Sequence, residues 1–272
     1  MNETAVPKDI YLADTVTKLK PEHRDHVVIT GSHGGIYAGY CAAKMHVRAA
    51  IFNDAGIGRD KAGIGSLAFL NGLGLAAATV DSQTCRIADA TDMWTNGRIS
   101  AVNAAAEQLG CAKGQSAEDC ARRLTKAKSS ASPVPTVREA RFVISDRPGE
   151  RKVIGIDSAS LFEAEDDGQI VITGSHGGLV GGTAKTLIMP AVHAVFYNDA
   201  GGCKDRSGFT RLSVLEERGI AAATVSNESA KIGDAKSSYD DGIISCANAI
   251  AVNLGAEVGM PLRQFVERLK RP

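Results

Sequence analysis

The hexapeptide Thr30-Gly31-Ser32-His33-Gly34-Gly35 recurs as Thr173-Gly174-Ser175-His176-Gly177-Gly178, and each copy follows a short apolar run, Val27-Val28-Ile29 or Ile170-Val171-Ile172. A buried strand that ends in a glycine-rich turn and opens a helix is where parallel α/β sheets place ligand sites. The correspondence runs outward from the turns. Phe52-Asn53-Asp54-Ala55-Gly56 answers Tyr197-Asn198-Asp199-Ala200-Gly201, and Ala76-Ala77-Ala78-Thr79-Val80 answers Ala221-Ala222-Ala223-Thr224-Val225. Farther on, Asp89, Gly97, Ser100 and Asn103 answer Asp234, Gly242, Ser245 and Asn248, with two extra residues in the second copy between its expected first helix and its second strand. The expected fold class is therefore α/β, two tandem pseudo-symmetric halves arising by internal duplication, each a parallel sheet of repeated strand-helix units. Residues 1–128 read as the first repeat, 129–140 as a linker rich in Ser and Pro, and 141–272 as the second repeat with an extra N-terminal hairpin turning at Asp146-Arg147-Pro148-Gly149.

Within the first half, helices are expected over residues 36–45 and around Leu67 and Leu70, whose counterparts Leu212 and Leu215 keep the spacing of one helix face. Strands are expected over residues 47–52 and 75–80, and Gly74 and Gly219 stand where helices end at positive φ. Residues 81–96 read as a long polar loop and 97–109 as a helix with Asn103 in its middle. Ser116 is placed to cap a helix over 117–128, and Pro261 to start one over 262–270.

The 31 basic and 31 acidic residues balance, so the chain lacks the positive footprint that phosphate backbones demand, and its few aromatic residues offer little for base stacking. No apolar run approaches the length that spans a bilayer, and the start is polar, which gives an expectation of a cytoplasmic protein with no membrane partner. Six cysteines are scattered without a C-x-x-C pair, the pattern of reduced, buried thiols. The expected partner is a small-molecule substrate, with association into a homo-oligomer left open.

The polar residues shared by both halves are the candidates for chemistry. His33 and His176, alone among six histidines in being paired, sit at strand ends as expected general bases. Asp54 and Asp199 end the adjacent strands and are the expected orienters of those rings. Ser32 and Ser175 are candidate nucleophiles, although G-S-H-G-G is not the G-x-S-x-G elbow. For substrate binding the expected set is Gly34, Gly35, Gly177 and Gly178 as an amide cradle, Asn53 and Asn198, Thr79 and Thr224, and Arg86 and Lys231. Each has a structural alternative: a tight turn for the glycines, an Asx turn for Asn53 and Asn198, and an internal ion pair for Arg86 with Asp89 or Lys231 with Asp234. No H-x-H or H-x-x-x-H pair argues for a metal, and neither G-K-[ST] nor G-x-G-x-x-G is present in the turns, so neither a metal nor a cofactor is expected.

Strand, Ser-His-Gly, helix, strand, Asn-Asp-Ala-Gly resembles the pattern of the caspase-like hydrolases, in which His-Gly ends one strand and Asp-Ala-Cys the next. Gly56 and Gly201 stand at the cysteine's place and Cys203 lies two residues beyond. The family is not adopted, and Cys203 stays a candidate nucleophile of the second half alone. The leading functional expectation is a cofactor-free enzyme hydrolysing an amide or similar carbonyl of a small polar metabolite. A lyase or isomerase that moves a proton next to a carbonyl, and a non-catalytic binder of small carboxylates or phosphates, are the alternatives.

Overall fold

The computed structural model describes residues 5–130 and 132–271; part of the polar start, Ala131 of the expected linker and Pro272 lie outside the described residues. The chain divides into two compact units, unit 1 comprising residues 1–55 and 63–137, unit 2 comprising residues 56–62 and 138–272. Each is a mixed α/β unit built on one sheet.

In unit 1 the described strands β1 (Ile10–Ala13), β2 (Val27–His33), β3 (Ala49–Asn53), β4 (Ala76–Val80) and β5 (Ile99–Val102) form one sheet in that order. β1 to β4 are parallel and β5 pairs antiparallel with β4. Continuous apolar runs such as Ala49-Ala50-Ile51-Phe52 suit strands covered on both faces. On one face Val28, Ala50, Phe52 and Ala77 pack with α1 (Ile36–Lys44) and α2 (Gly65–Gly72). On the other, Val27, Ile29, Ile51 and Ala78 pack with α3 (Ala90–Asn96) and α5 (Ala117–Leu124). A sheet whose order advances one strand at a time keeps crossovers of one hand on one face, which accounts for α1 and α2 sharing theirs. Leu67 and Leu70 are buried, as their spacing predicts, and Gly74 has φ 68°.

Two expectations fail between residues 81 and 109. The polar loop contains α3, capped by Asp89, whose side chain accepts from Asp92 N. Residues 97–109 are not one helix: they give β5 and then the single-turn α4 (Ala104–Glu107), with Asn103 as its N-cap. The alanine run at 104–106 gives this stretch its helical character, yet Ile99 and Val102 serve the sheet and Asn103 ends it. Ser116 does cap α5, its side chain accepting from Asp119 N.

In unit 2 the described strands are β6 (Arg141–Ser145), β7 (Val153–Ile156), β8 (Ile170–His176), β9 (Ala194–Asn198), β10 (Ala221–Val225) and β11 (Ile244–Ala247), in the order β11-β10-β9-β8-β7-β6. β7 to β10 are parallel and both edge strands antiparallel. The hairpin read at Asp146-Arg147-Pro148-Gly149 thus joins β6 to β7. Helices α6 (Arg211–Glu217), α7 (Ala235–Asp241), α8 (Ala249–Asn253) and α9 (Leu262–Leu269) complete the unit. Phe196 and Phe265 meet edge to face at 5.8 Å on the α9 side, while Tyr197, Leu212 and Leu215 pack on the opposite face.

The second glycine-rich turn does not open an α-helix. It leads into two 3-10 turns, Val180–Gly182 and Ala184–Thr186. Gly181 and Gly182 have φ 61° and 64°, a conformation that an α-helix excludes.

Gly56–Ala62 belongs to unit 2. Arg59 N donates to Asn227 O at 2.8 Å and its Nη1 to Ser229 O at 2.6 Å, with Asp241 at 3.5 Å. Asp60 stands 3.7 Å from Lys231. Among the described residues no helix is long and apolar enough to cross a membrane.

Candidate functional site

In unit 1 the chain leaves β3 toward α2 on one face and leaves β4 toward α3 on the other. Adjacent loops that part to opposite faces open a crevice at the carboxyl ends of the strands. Asp54 follows β3 at this parting of the chain, its N donating to Val80 O at 2.9 Å and its Oδ1 accepting from Ser82 N at 3.0 Å. In unit 2, Asp199 N donates to Val225 O at 2.9 Å and Oδ1 accepts from Asn227 N at 2.9 Å and Gly201 N at 2.9 Å. Both carboxylates tie the loop after the fourth parallel strand to the end of the third.

The histidines are set by a break in register. Ile29 pairs with Ile51, and the next pair is His33 with Asn53, so residues 30–32 face the single residue Phe52. Unit 2 repeats this between Ile172 with Phe196 and His176 with Asn198. The excess chain bulges at Gly31 and Gly174. A Cβ on Gly31 would lie 2.6 Å from the Ala88 backbone, and one on Gly174 2.5 Å from Asp234 N, so only glycine fits.

Each imidazole then bonds within its own turn. His33 Nδ1 accepts from Gly35 N at 3.1 Å, and His176 Nδ1 from Gly178 N at 3.1 Å. A ring nitrogen that accepts an amide hydrogen carries none, so in the neutral ring the hydrogen sits on Nε2, which becomes a donor. Burial pushes the His33 imidazole down to about 4, which keeps it neutral through the physiological range. In both turns, then, Nδ1 of the ring is engaged by a backbone amide. Oδ1 of Asp54 and of Asp199, the expected orienters, accepts from loop amides.

The remaining expected site residues sort by their contacts. Ser32 Oγ accepts from Val16 N at 2.9 Å and Ser175 Oγ from Ala159 N at 2.9 Å, so both hydroxyls pin the chain that follows the first parallel strand. Gly34 N donates to Asn53 O at 2.8 Å and Gly177 N to Asn198 O at 2.9 Å. With Gly35 N and Gly178 N given to the rings, the expected cradle of loop amides is already occupied by protein acceptors. Asn53 and Asn198 make the Asx turns, Oδ1 accepting from Ala55 N at 2.8 Å and Ala200 N at 2.9 Å. Thr79 and Thr224 are fully buried and meet Ser100 and Ser245 hydroxyl to hydroxyl at 3.0 Å, where β5 and β11 each bulge by one residue. Arg86 lies 3.8 Å from both Asp89 and Asp92, and Lys231 lies 3.8 Å from Asp234, the internal ion pairs of the structural alternative. Cys203 is buried, its thiol donating to Ala200 O at 3.1 Å.

Past Asp199 the backbone is strained. Ala200, Cys203, Asp205 and Arg206 have φ of 52°, 56°, 55° and 56°. The chain past Asp54 does the same at Ala55, Ile57, Asp60 and Lys61, with φ of 49°, 63°, 53° and 57°. A left-handed conformation costs about 1 kcal/mol or more at a residue with a Cβ, and such residues cluster at functional sites.

Sequence comparison of the two halves did not single out Arg211, because the equivalent residue is Ser66. Both N–H groups make the same bond, Ser66 N to Gly34 O and Arg211 N to Gly177 O, each at 2.8 Å. Arg211 is only 7% exposed; its Nε donates to Gly178 O at 2.9 Å, and its guanidinium lies 4.8 Å from the Tyr197 ring centre. Among the described residues no group of three His, Cys, Asp or Glu side chains gathers to hold a metal ion. No protein-family model, curated protein or solved structure matches the chain.

Proposed function

We propose that the chain is a cofactor-free enzyme on a small polar metabolite, in which Nε2–H of His33 and His176 polarises a substrate carbonyl. The observation that carries this reading is the bond from Gly35 N or Gly178 N to Nδ1, which makes the outer ring nitrogen a donor. A neutral imidazole held in this way is an electrophile for a developing oxyanion. Asp54 and Asp199, each next in sequence to the residue paired with the histidine, are proposed to take the proton. The reaction supported best is proton transfer next to the carbonyl, as in a lyase or isomerase. Hydrolysis by a protein nucleophile is less well supported, since Ser32, Ser175 and Cys203 have their hydroxyl or thiol engaged within the fold. The strained backbone after each aspartate supports an active site over a passive binding module. We also infer that the two units descend from one duplicated half, on the strength of the matched residues and their matched bonds.

The test is solvent deuterium incorporation into a panel of small ketones and keto acids, run beside ammonia release from amides, on wild type and on the His33→Ala, His176→Ala and His→Gln variants. Loss of one oxyanion donor costs about 100- to 1,000-fold in kcat, with partial recovery expected in Gln, which retains a donor. Ammonia release without deuterium exchange would return the reading to a hydrolase. Turnover indifferent to both histidines would sink the reading altogether.

A further inference from the structure

A buried guanidinium is rare unless an anion compensates it. Arg211 donates Nε–H to Gly178 O and also interacts with the Tyr197 hydroxyl, and among the described residues no ion pair with an Asp or Glu holds it. Tyr197 is not the missing anion, because burial pushes its phenol pKa up and keeps it neutral. The side chain is nonetheless held in one place, stacked on the Tyr197 ring and tied to the residue whose N–H bonds the His176 ring.

Unit 1 shows what made room for it. There α1 packs so tightly on Ser66 that a Cβ on Gly39 would lie 2.9 Å from the Ser66 Cβ, and Ser66 Oγ is buried without a hydrogen-bond partner. Unit 2 has no α-helix at this place: residues 178–193 are irregular apart from two 3-10 turns, residues 181–185 are exposed, and a cation replaces the serine. The loss of the helix and the gain of the arginine change the same spot together, so that a cation stands where unit 1 has a packed serine.

We propose that Arg211 is the recognition group of unit 2 for a small organic carboxylate, bound beside His176, and that unit 1, with Ser66, does not share this selectivity. A planar guanidinium matches a carboxylate through paired hydrogen bonds. The proposal rests on reading the His176 turn as the substrate site. It gives unit 2 a substrate carrying both a carboxylate and the carbonyl that His176 polarises.

The experiment is calorimetric titration of the full chain with acetate, oxalate, pyruvate and succinate, and with the neutral amide of each, on wild type and on Arg211→Gln and His176→Ala. At least one acid is expected to saturate wild type while its amide binds tenfold or more weakly. Arg211→Gln is expected to weaken the acid at least tenfold. The acid-against-amide comparison needs no variant, so it decides even if Arg211→Gln does not fold. Acid and amide binding alike, no acid binding at all, or a folded Arg211→Gln that binds acid as wild type does would each overturn the proposal. The last result, with turnover still dependent on His176, would leave the proposed function standing. Acid binding lost in Arg211→Gln with no turnover found would do the reverse.

Discussion

A histidine that accepts an amide hydrogen on Nδ1 and is kept neutral by burial should leave its mark on stability as well as on chemistry. The native pKa of His33 is about 4, against 6.5 when exposed. Between those values the unfolded chain binds a proton that the native ring refuses, so stability is lost as pH falls from 6.5 toward 4. The loss would reach about 3 kcal/mol for a wholly buried ring and is smaller here because the ring is partly accessible. Urea unfolding across that range should show His33→Gln with a flatter profile than wild type. Gly34 supplies a second prediction. A Cβ there would lie 2.6 Å from Gly63 O, and on Gly177 2.4 Å from Gly208 O, so Gly34→Ala or Gly177→Ala should cost about 2 kcal/mol or more, read from the same unfolding curves. At this scale the residues repeated in the sequence are ones whose hydrogen bonds the structure describes within the fold. Repetition finds residues that both halves need, and most of these, such as Ser32, Asn53 and Thr79, are needed for bulges and tight turns. Arg211 was invisible for the opposite reason, since it differs from its counterpart.

At the scale of elements, Asn103 shows how a polar side chain can organise more structure than its neighbours. Its Oδ1 accepts from Ala77 N and Ala106 N, both at 3.0 Å, and its Nδ2 donates to Leu75 O at 2.9 Å. It joins the start of β4 to the first turn of α4, and Asn248 makes the same set with Ala222, Ala251 and Ile220. Asn103→Ala leaves three backbone groups without partners in the interior and should destabilise the chain by about 2–4 kcal/mol. Asn103→Asp should be hardly better, because its second oxygen cannot donate to Leu75 O; thermal unfolding of both variants checks this. β2, β3 and β4 were legible because continuous apolar runs bounded by glycine and Asn-Asp turns admit few other readings, whereas the parallel β1 was not read as a strand. β5 was not, since four residues of mixed polarity before an alanine run carry no period of their own and are defined by pairing with β4. The helix expected after the second glycine turn failed on Gly181 and Gly182, a local signal that the likeness of the halves outweighed.

At the scale of the whole molecule, the described cysteines are all free thiols, and each sheet has apolar cores on both faces. The α/β class with mostly parallel sheets was readable from the sequence, but the membership of Gly56–Ala62 in unit 2 was not, because nothing in a loop's composition says which sheet it will pack with. Native-state hydrogen exchange should find the Arg59 amide, bonded to Asn227 O, protected in step with β9 and β10. Arg59→Ala should speed its exchange by about tenfold, as expected for removing one charged hydrogen bond worth about 1.5 kcal/mol.

That same loop bears on how the protein can be taken apart. A cut in the stretch around residues 129–140 would not leave unit 2 whole. The C-terminal fragment would lack the seven residues of Gly56–Ala62, and the carbonyls of Asn227 and Ser229 would lose the donors that Arg59 brings. The fragment alone should be a poor folder that a synthetic peptide covering residues 54–64 rescues in trans, so that a binding assay between two pieces of one chain would report the wholeness of unit 2.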